Sequence, residues 1–150
     1  VDAVTATTIF SAGDTVTLDV NLGDDSAADV FALLHGSGGD LAGKALVKIT
    51  NFSTGSDKLR TNVAGAAASA AATAIGLTTA AGMIGGALGT TLSASDLASG
   101  NATALFTYNG DTFFVNQTAQ NALDATFDDG EVVFQFVGVT DIAANDIIST

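Results

Sequence analysis

Ile49-Thr50-Asn51-Phe52-Ser53-Thr54-Gly55-Ser56-Asp57-Lys58-Leu59 is the stretch whose pattern decides the fold class. Val47, Ile49 and Phe52 are apolar and suit a pleated, half-buried surface. Ser53 to Asp57 is turn chemistry: Gly55 can take positive φ, and the Ser and Asp side chains can bond nearby backbone amides. Leu59 returns to the core. The stretch predicts a strand, a tight turn and a second strand.

The same pattern extends in both directions. Upstream, Thr15 to Val20 alternates with period two, with Val16, Leu18 and Val20 on one face and Thr15, Thr17 and Asp19 on the other. Ahead of it, Val4 to Phe10 is a β-prone run that ends at Ser11-Ala12-Gly13. Asp29 to Leu34 is apolar and predicts a further strand. In Lys44 to Ile49, Lys44 and Leu46 share one face, and Val47 and Ile49 the other. Downstream, Asn109-Gly110 is a strong type I′ turn signal. It joins Ala102–Thr107 to Thr112–Asn116 as a hairpin that should bury Leu105, Phe113 and Phe114. Asp128-Asp129-Gly130 turns into Glu131 to Val137. There Val132, Phe134 and Phe136 oppose Val133, Gln135 and Val137, as in a strand covered on both faces.

Residues 63–90 break this pattern. They are rich in Ala, Gly and Thr and carry no charge. Ala favours helix, while each Gly costs up to ~1 kcal/mol. We expect a helix over Ala66–Ile75 and another over Thr79–Leu88, weakened by Gly82, Gly85 and Gly86. Ala, Gly and Thr supply too little transfer energy for a membrane span, and no basic or aromatic flank anchors one. Ser93 and Asp96 have the spacing of a helix cap. The fold expected is mainly β: a β-sandwich or β-roll-like single domain over residues 1–150, with an Ala/Gly-rich helical insertion at about residues 63–90. Residues 1–10 form its terminal strand or one exchanged with a neighbour.

Composition narrows the function. At 150 residues the chain is long enough for one domain with a core. It has no Cys, which excludes a disulfide scaffold and a thiolate metal site. The net charge of −12, from 16 acids against 4 bases, argues against nucleic acid and against an anionic membrane surface. His35 is the lone His, and no nucleophile-elbow, zinc-helix or P-loop pattern accompanies it. We therefore expect no enzyme. Of the acids all but Glu131 are Asp, a residue suited to turns and to hard cations. Calcium takes six to eight oxygens at about 2.3–2.6 Å. The candidate ligands are Asp24, Asp25 and Asp29 after the first alternating strand, Asp40 in the Gly-rich loop, and Asp128 and Asp129. An ordinary solvated acidic surface is the alternative.

The stretch from Ile49 to Leu59 resembles the I-x-x-F-x-x-G-x-D-x-L segment that follows the calcium-binding repeats of bacterial RTX proteins. Ala104 to Asn116 resembles a strand-turn-strand of their C-terminal domains, and Val132 to Ile142 their final strand and terminus. The tandem nonapeptide G-G-x-G-x-D-x-U-x does not occur; Gly36-Ser37-Gly38-Gly39-Asp40-Leu41 is a faint, single approach to it. The resemblance implies a parallel β-roll, calcium, and type I secretion to the cell exterior. Residues and resemblance together lead to two expectations. One is a non-catalytic extracellular structural protein, of the surface-layer, matrix or filament kind, that forms homo-oligomers or homopolymers. The other is a calcium-binding C-terminal secretion module of a larger toxin or enzyme.

Overall fold

A computed structural model describes residues 4–5, 13–24, 27–33, 43–61, 75–99, 105–117 and 124–149. The strands are β1 (Val4–Thr5), β2 (Thr15–Asn21), β3 (Val30–Leu33), β4 (Lys44–Thr50), β5 (Lys58–Thr61), β6 (Ala98–Ser99), β7 (Leu105–Tyr108), β8 (Asp111–Gln117), β9 (Glu131–Phe136) and β10 (Ile147–Ser149). Among the described residues one α-helix, α1, spans Leu77–Leu88. The expected mainly-β fold is what forms.

The strands fall into two sheets. Sheet A has the order β1-β3-β5-β10, and sheet B the order β2-β4-β9-β8-β7-β6. From β1 to β5 the chain alternates between the sheets, so each strand lies parallel to the one two before it. Val30 pairs with Lys58 in sheet A, and Thr15 with Lys44 in sheet B. The chain is thus wound into stacked coils of about 28 residues. After an excursion through α1 and the β7–β8 hairpin it re-enters the stack. β9 lies parallel to β4 (Val47 beside Phe134), and β10 lies parallel to β5 (Ile147 beside Leu59). Residues 62–130 are therefore an insertion into a continuous winding. Glu131–Phe136 is not the final strand, because β10 follows it. Val4–Thr5 pairs with Phe31–Ala32 of its own chain.

Apolar periodicity explains the packing. Ala45, Val47 and Ile49 share a face with Val132, Phe134 and Phe136, and all six are buried. On the opposite face Leu46 and Val133 are buried too, because α1 packs there against β4, β8 and β9. This leaves the first face to meet Phe31, Leu59 and Ile147 of sheet A in one core. Phe52 completes that core edge-on to Phe136, with ring centroids 4.8 Å apart. β2, at the border of sheet B, has no such double cover: its residues alternate between exposed and half-buried.

The glycines of α1 do more than weaken it. A Cβ on Gly82 would stand 1.9 Å from the carbonyl oxygen of Ala125, and one on Gly86 would stand 2.7 Å from Cβ of Phe127. Glycine is what lets the helix touch the segment that leads into β9. The hairpin is as expected. Asn109 and Gly110 both have positive φ (52° and 86°), as a two-residue type I′ turn requires. Leu105, Phe113 and Phe114 are buried. Asp96 closes the short 3-10 turn Ala94–Asp96 by accepting from the Ser93 amide at 2.6 Å. The helix expected at Ala66–Ile75 lies, but for Ile75, outside the described residues. No described helix is long and apolar enough to cross a membrane.

Candidate functional site

Many of the described acidic residues lie at the corners of the coils, and the two ends of the strands hold different sets. The turn after β2 is at the C-terminal end of the parallel strands of sheet B, and the turn before β9 is at their N-terminal end. A seven-residue strand separates these ends by roughly 20 Å. Asp24, exposed, and Asp29, buried, lie at the first end, and Asp128 and Asp129 at the second. One ion cannot span both sets. Asp25, Asp40 and His35 lie outside the described residues. Among the described residues no three His, Cys, Asp or Glu side chains gather as a metal would need.

At the first end, aspartates brace the coils. Asp29, Asp57 and Asp146 each directly precede a strand of sheet A, and all three are buried. Asp57 Oδ2 accepts the amide of Ser53 at 2.7 Å within its own turn. Its Oδ1 accepts the amide of Asp29 at 2.9 Å, 28 positions earlier in the preceding coil. Asp146 repeats the arrangement one coil on. Its Oδ2 accepts the Ala143 amide at 3.1 Å, and its Oδ1 accepts the Gly55 amide at 3.1 Å and the Lys58 ammonium at 2.7 Å. Burial works against the charge on Asp146. The Lys58 ammonium and the Ala143 and Gly55 amides outweigh it and hold the carboxyl below the usual carboxylate range. Asp57 and Asp146 therefore use their oxygens to satisfy backbone donors that the tight turns would otherwise leave unpaired.

The second end is a junction around Glu131. The Lys44 amide donates to the Asp14 carbonyl at 2.9 Å, and the Gly130 amide to the Gly43 carbonyl at 2.8 Å, so three successive turns are bonded in series. Asp129 Oδ2 accepts the Gly13 amide at 2.8 Å, which ties the first coil to the third. The Lys44 ammonium donates to the Phe127 carbonyl at 2.9 Å and sits 5.6 Å from the centre of its ring. Glu131, only 3% exposed, accepts the Asp128 amide on Oε2 at 2.7 Å.

No family model, curated protein or solved structure matches the chain.

The chemistry of the junction is thus read from its own groups. Burial, reinforced by the negative charges of Asp128 and Asp124, pushes the Glu131 carboxyl up to about 7; the Asp128 amide and Lys44 act in the opposite direction. The Thr126 hydroxyl lies between the carboxylates of Asp124 and Asp128. It has one proton, so it donates to only one of them at a time. The hydroxyl and amide of Thr126 hold Asp124 below the usual carboxylate range. The sequence singled out Asp128 and Asp129 here, with Glu131 only as the end of their turn, and passed over Lys44. The available signal was that Glu131 is the single Glu of the chain, at the start of a strand rich in large apolar residues. Asp57 and Asp146 were also passed over as a set. The recurrence of Asp two residues before a core apolar side chain, in Asp29-Val30-Phe31 and Asp57-Lys58-Leu59, would have found the coil.

Proposed function

We propose that the protein is a non-catalytic extracellular structural subunit that associates with copies of itself, with calcium stabilising its acidic turns. The observation that carries this reading is the edge of the stack. Among the described residues, β2 pairs with β4 on one side and with nothing on the other. Its Val16, Leu18 and Val20 are half-buried, while their register neighbours Ala45, Val47 and Ile49 are buried. A stack of coils is quasi-one-dimensional, and an uncapped end is a template for another coil. The same winding that lays β4 on β2 would lay a strand of a second copy there, and head-to-tail contact of that kind propagates as a filament. Calcium enters through charge. At −12, cation binding at Asp24 and Asp29 at one end, or at Asp128 and Asp129 at the other, would relieve repulsion that opposes assembly.

The second reading, a calcium-binding C-terminal secretion module of a larger RTX-like protein, is favoured by the parallel winding, which is the geometry a β-roll has. Sedimentation of the purified chain in calcium and in EGTA separates the two. The structural reading expects polymers far above the 14.8 kDa chain mass in calcium and smaller species in EGTA. A 14.8 kDa monomer in both buffers would contradict it. A monomer whose melting temperature rises on adding calcium would favour the secretion module.

A further inference from the structure

We propose that the open edge of β2 takes the β2 edge of a second copy, antiparallel and centred on Leu18, so that two chains join head to head about a two-fold axis. This pairing rests on the self-association proposed above, and it names the strand that arrives at the edge.

The ladder to β4 shows which backbone groups of β2 are left over. The Leu22 amide donates to the Thr50 carbonyl at 3.2 Å, and the Asp14 carbonyl accepts the Lys44 amide at 2.9 Å. The Val20 carbonyl points the same way, since it accepts the Thr50 hydroxyl at 3.2 Å. Backbone groups of a strand alternate sides with period two. The even-numbered residues therefore bond toward β4, and the amides and carbonyls of Thr15, Thr17, Asp19 and Asn21 face the open edge. Among the described residues no strand lies there.

Length selects the partner. Of the described sheet edges, β1 and β6 are 2 residues long and β10 is 3, while β2 is 7. Of these, only a second β2 covers the whole of β2. The winding also stops at the far end of sheet B, where antiparallel β8 takes the place beside β9 that a further coil would occupy.

Sequence and charge select the register. With Leu18 opposite Leu18 of the second copy, Val16 meets Val20, Thr17 meets Asp19 and Thr15 meets Asn21. Every outward backbone group of β2 then has a partner, and the half-buried Val16, Leu18 and Val20 cover one another. Moving the axis to Thr17 leaves Asn21 unpaired. Moving it to Asp19 leaves Thr15 unpaired and sets Asp19, the one charge on the strand, directly against its own copy, which is destabilising. Two chains of net charge −12 thus meet with these carboxylates kept apart. A two-fold axis perpendicular to the sheet keeps sheet A of both copies on one side, so the apolar layer between the sheets runs on across the contact. β6 and β10 remain as edges at the far ends, and a polymer alternates contacts there with this one.

Disulfide trapping tests the contact, since the chain has no cysteine. Leu18 and its copy form a non-hydrogen-bonded pair with Cα atoms about 4.5 Å apart, within a disulfide's reach. Thr17 and Asp19 each lie diagonally from their own copies, roughly 8 Å or more apart and out of reach. Leu18→Cys, Thr17→Cys and Asp19→Cys are each oxidised in calcium and in EGTA and run on non-reducing gels. In both buffers Leu18→Cys should give a species of twice the 14.8 kDa chain mass. Its yield should exceed that of either other variant at least about fivefold. Thr17→Pro gives a second reading without cysteine: it removes an outward amide and leaves the β4 ladder intact. It should sediment in EGTA at half the mass of the native particles, with unchanged circular dichroism; an unchanged mass overturns the proposal. A monomer in both buffers with no crosslink in any variant overturns self-association and this contact with it. Assembly without a Leu18 crosslink overturns the head-to-head contact and leaves self-association standing. Preferential crosslinking at Thr17 or Asp19 overturns the register.

Discussion

Asp57→Ala is expected to destabilise the protein by about 3 kcal/mol, because it strips the partners from two backbone donors at once. The Ser53 and Asp29 amides both end on its carboxylate, at 2.7 and 2.9 Å, and Asp57 is 2% exposed. An unpaired buried donor costs about 1–3 kcal/mol, and bonds to a charged acceptor are at the upper end. Neither amide has an alternative within its turn, since the Ser53 carbonyl already accepts the Asp57 and Ser56 amides. Asp57→Asn keeps one acceptor oxygen and turns an NH₂ toward the other amide, so an intermediate loss is expected. Urea unfolding of the three proteins measures this. A loss under about 1 kcal/mol for Asp57→Ala would mean that the aspartate does not brace the coils.

Phe134→Ala is expected to cost about 3–5 kcal/mol, a large part of the 5–15 kcal/mol that usually holds a domain together. Phe134 is fully buried and central in its sheet: it lies beside Val47 of β4 and Phe114 of β8. Its ring stacks on Phe114 at 5.9 Å. Neighbours on both sides are themselves held by regular strand pairing, so the site cannot collapse to fill the cavity. An equivalent loss is expected for Phe114→Ala. Denaturant titration should move the midpoint and leave the slope unchanged; a shift of less than about 1 kcal/mol would contradict the burial described.

Local features of this fold were legible where the chemistry was local. Asn109-Gly110 specifies a two-residue turn, and the flanking residues pair as expected, Tyr108 with Asp111 and Leu105 with Phe114. The turn between Ile49 and Leu59 forms where Gly55 and Asp57 place it. Both faces of Glu131–Phe136 are covered, with Gln135 alone half-buried, because one meets sheet A and the other α1. What period-two alternation does not encode is which strand lies beside which. Lys44–Thr50 touches Thr15–Asn21 through a return of about 28 residues, and Glu131–Phe136 only after the whole helical excursion. The acidic residues show the same divide. Asp29 read as a surface ligand because it follows Asp24 and Asp25, yet winding buries it beside Asp57. Asp124 and Asp128 stand beside Glu131 in its own loop, but its burial and the approach of Lys44 come from strand packing that local sequence does not encode.

The central claim is the parallel winding, and a designed disulfide tests it directly because the chain has no cysteine of its own. Lys48 and Gln135 are register partners on the helix-side face of β4 and β9, and both are half-buried. Paired residues on adjacent strands lie about 5 Å apart, inside the range a disulfide spans. Lys48→Cys with Gln135→Cys should therefore oxidise readily to a species that migrates faster and melts cooperatively. Lys48→Cys with Val133→Cys is the counterpart. In the parallel register Val133 stands beside Leu46, two residues away, roughly 8 Å from Lys48 and beyond a disulfide's reach. Antiparallel pairing of the same two strands about the Val47–Phe134 pair would place Val133 opposite Lys48 instead. The account predicts bridging in the first pair and not in the second; bridging in the second pair and not in the first would contradict it.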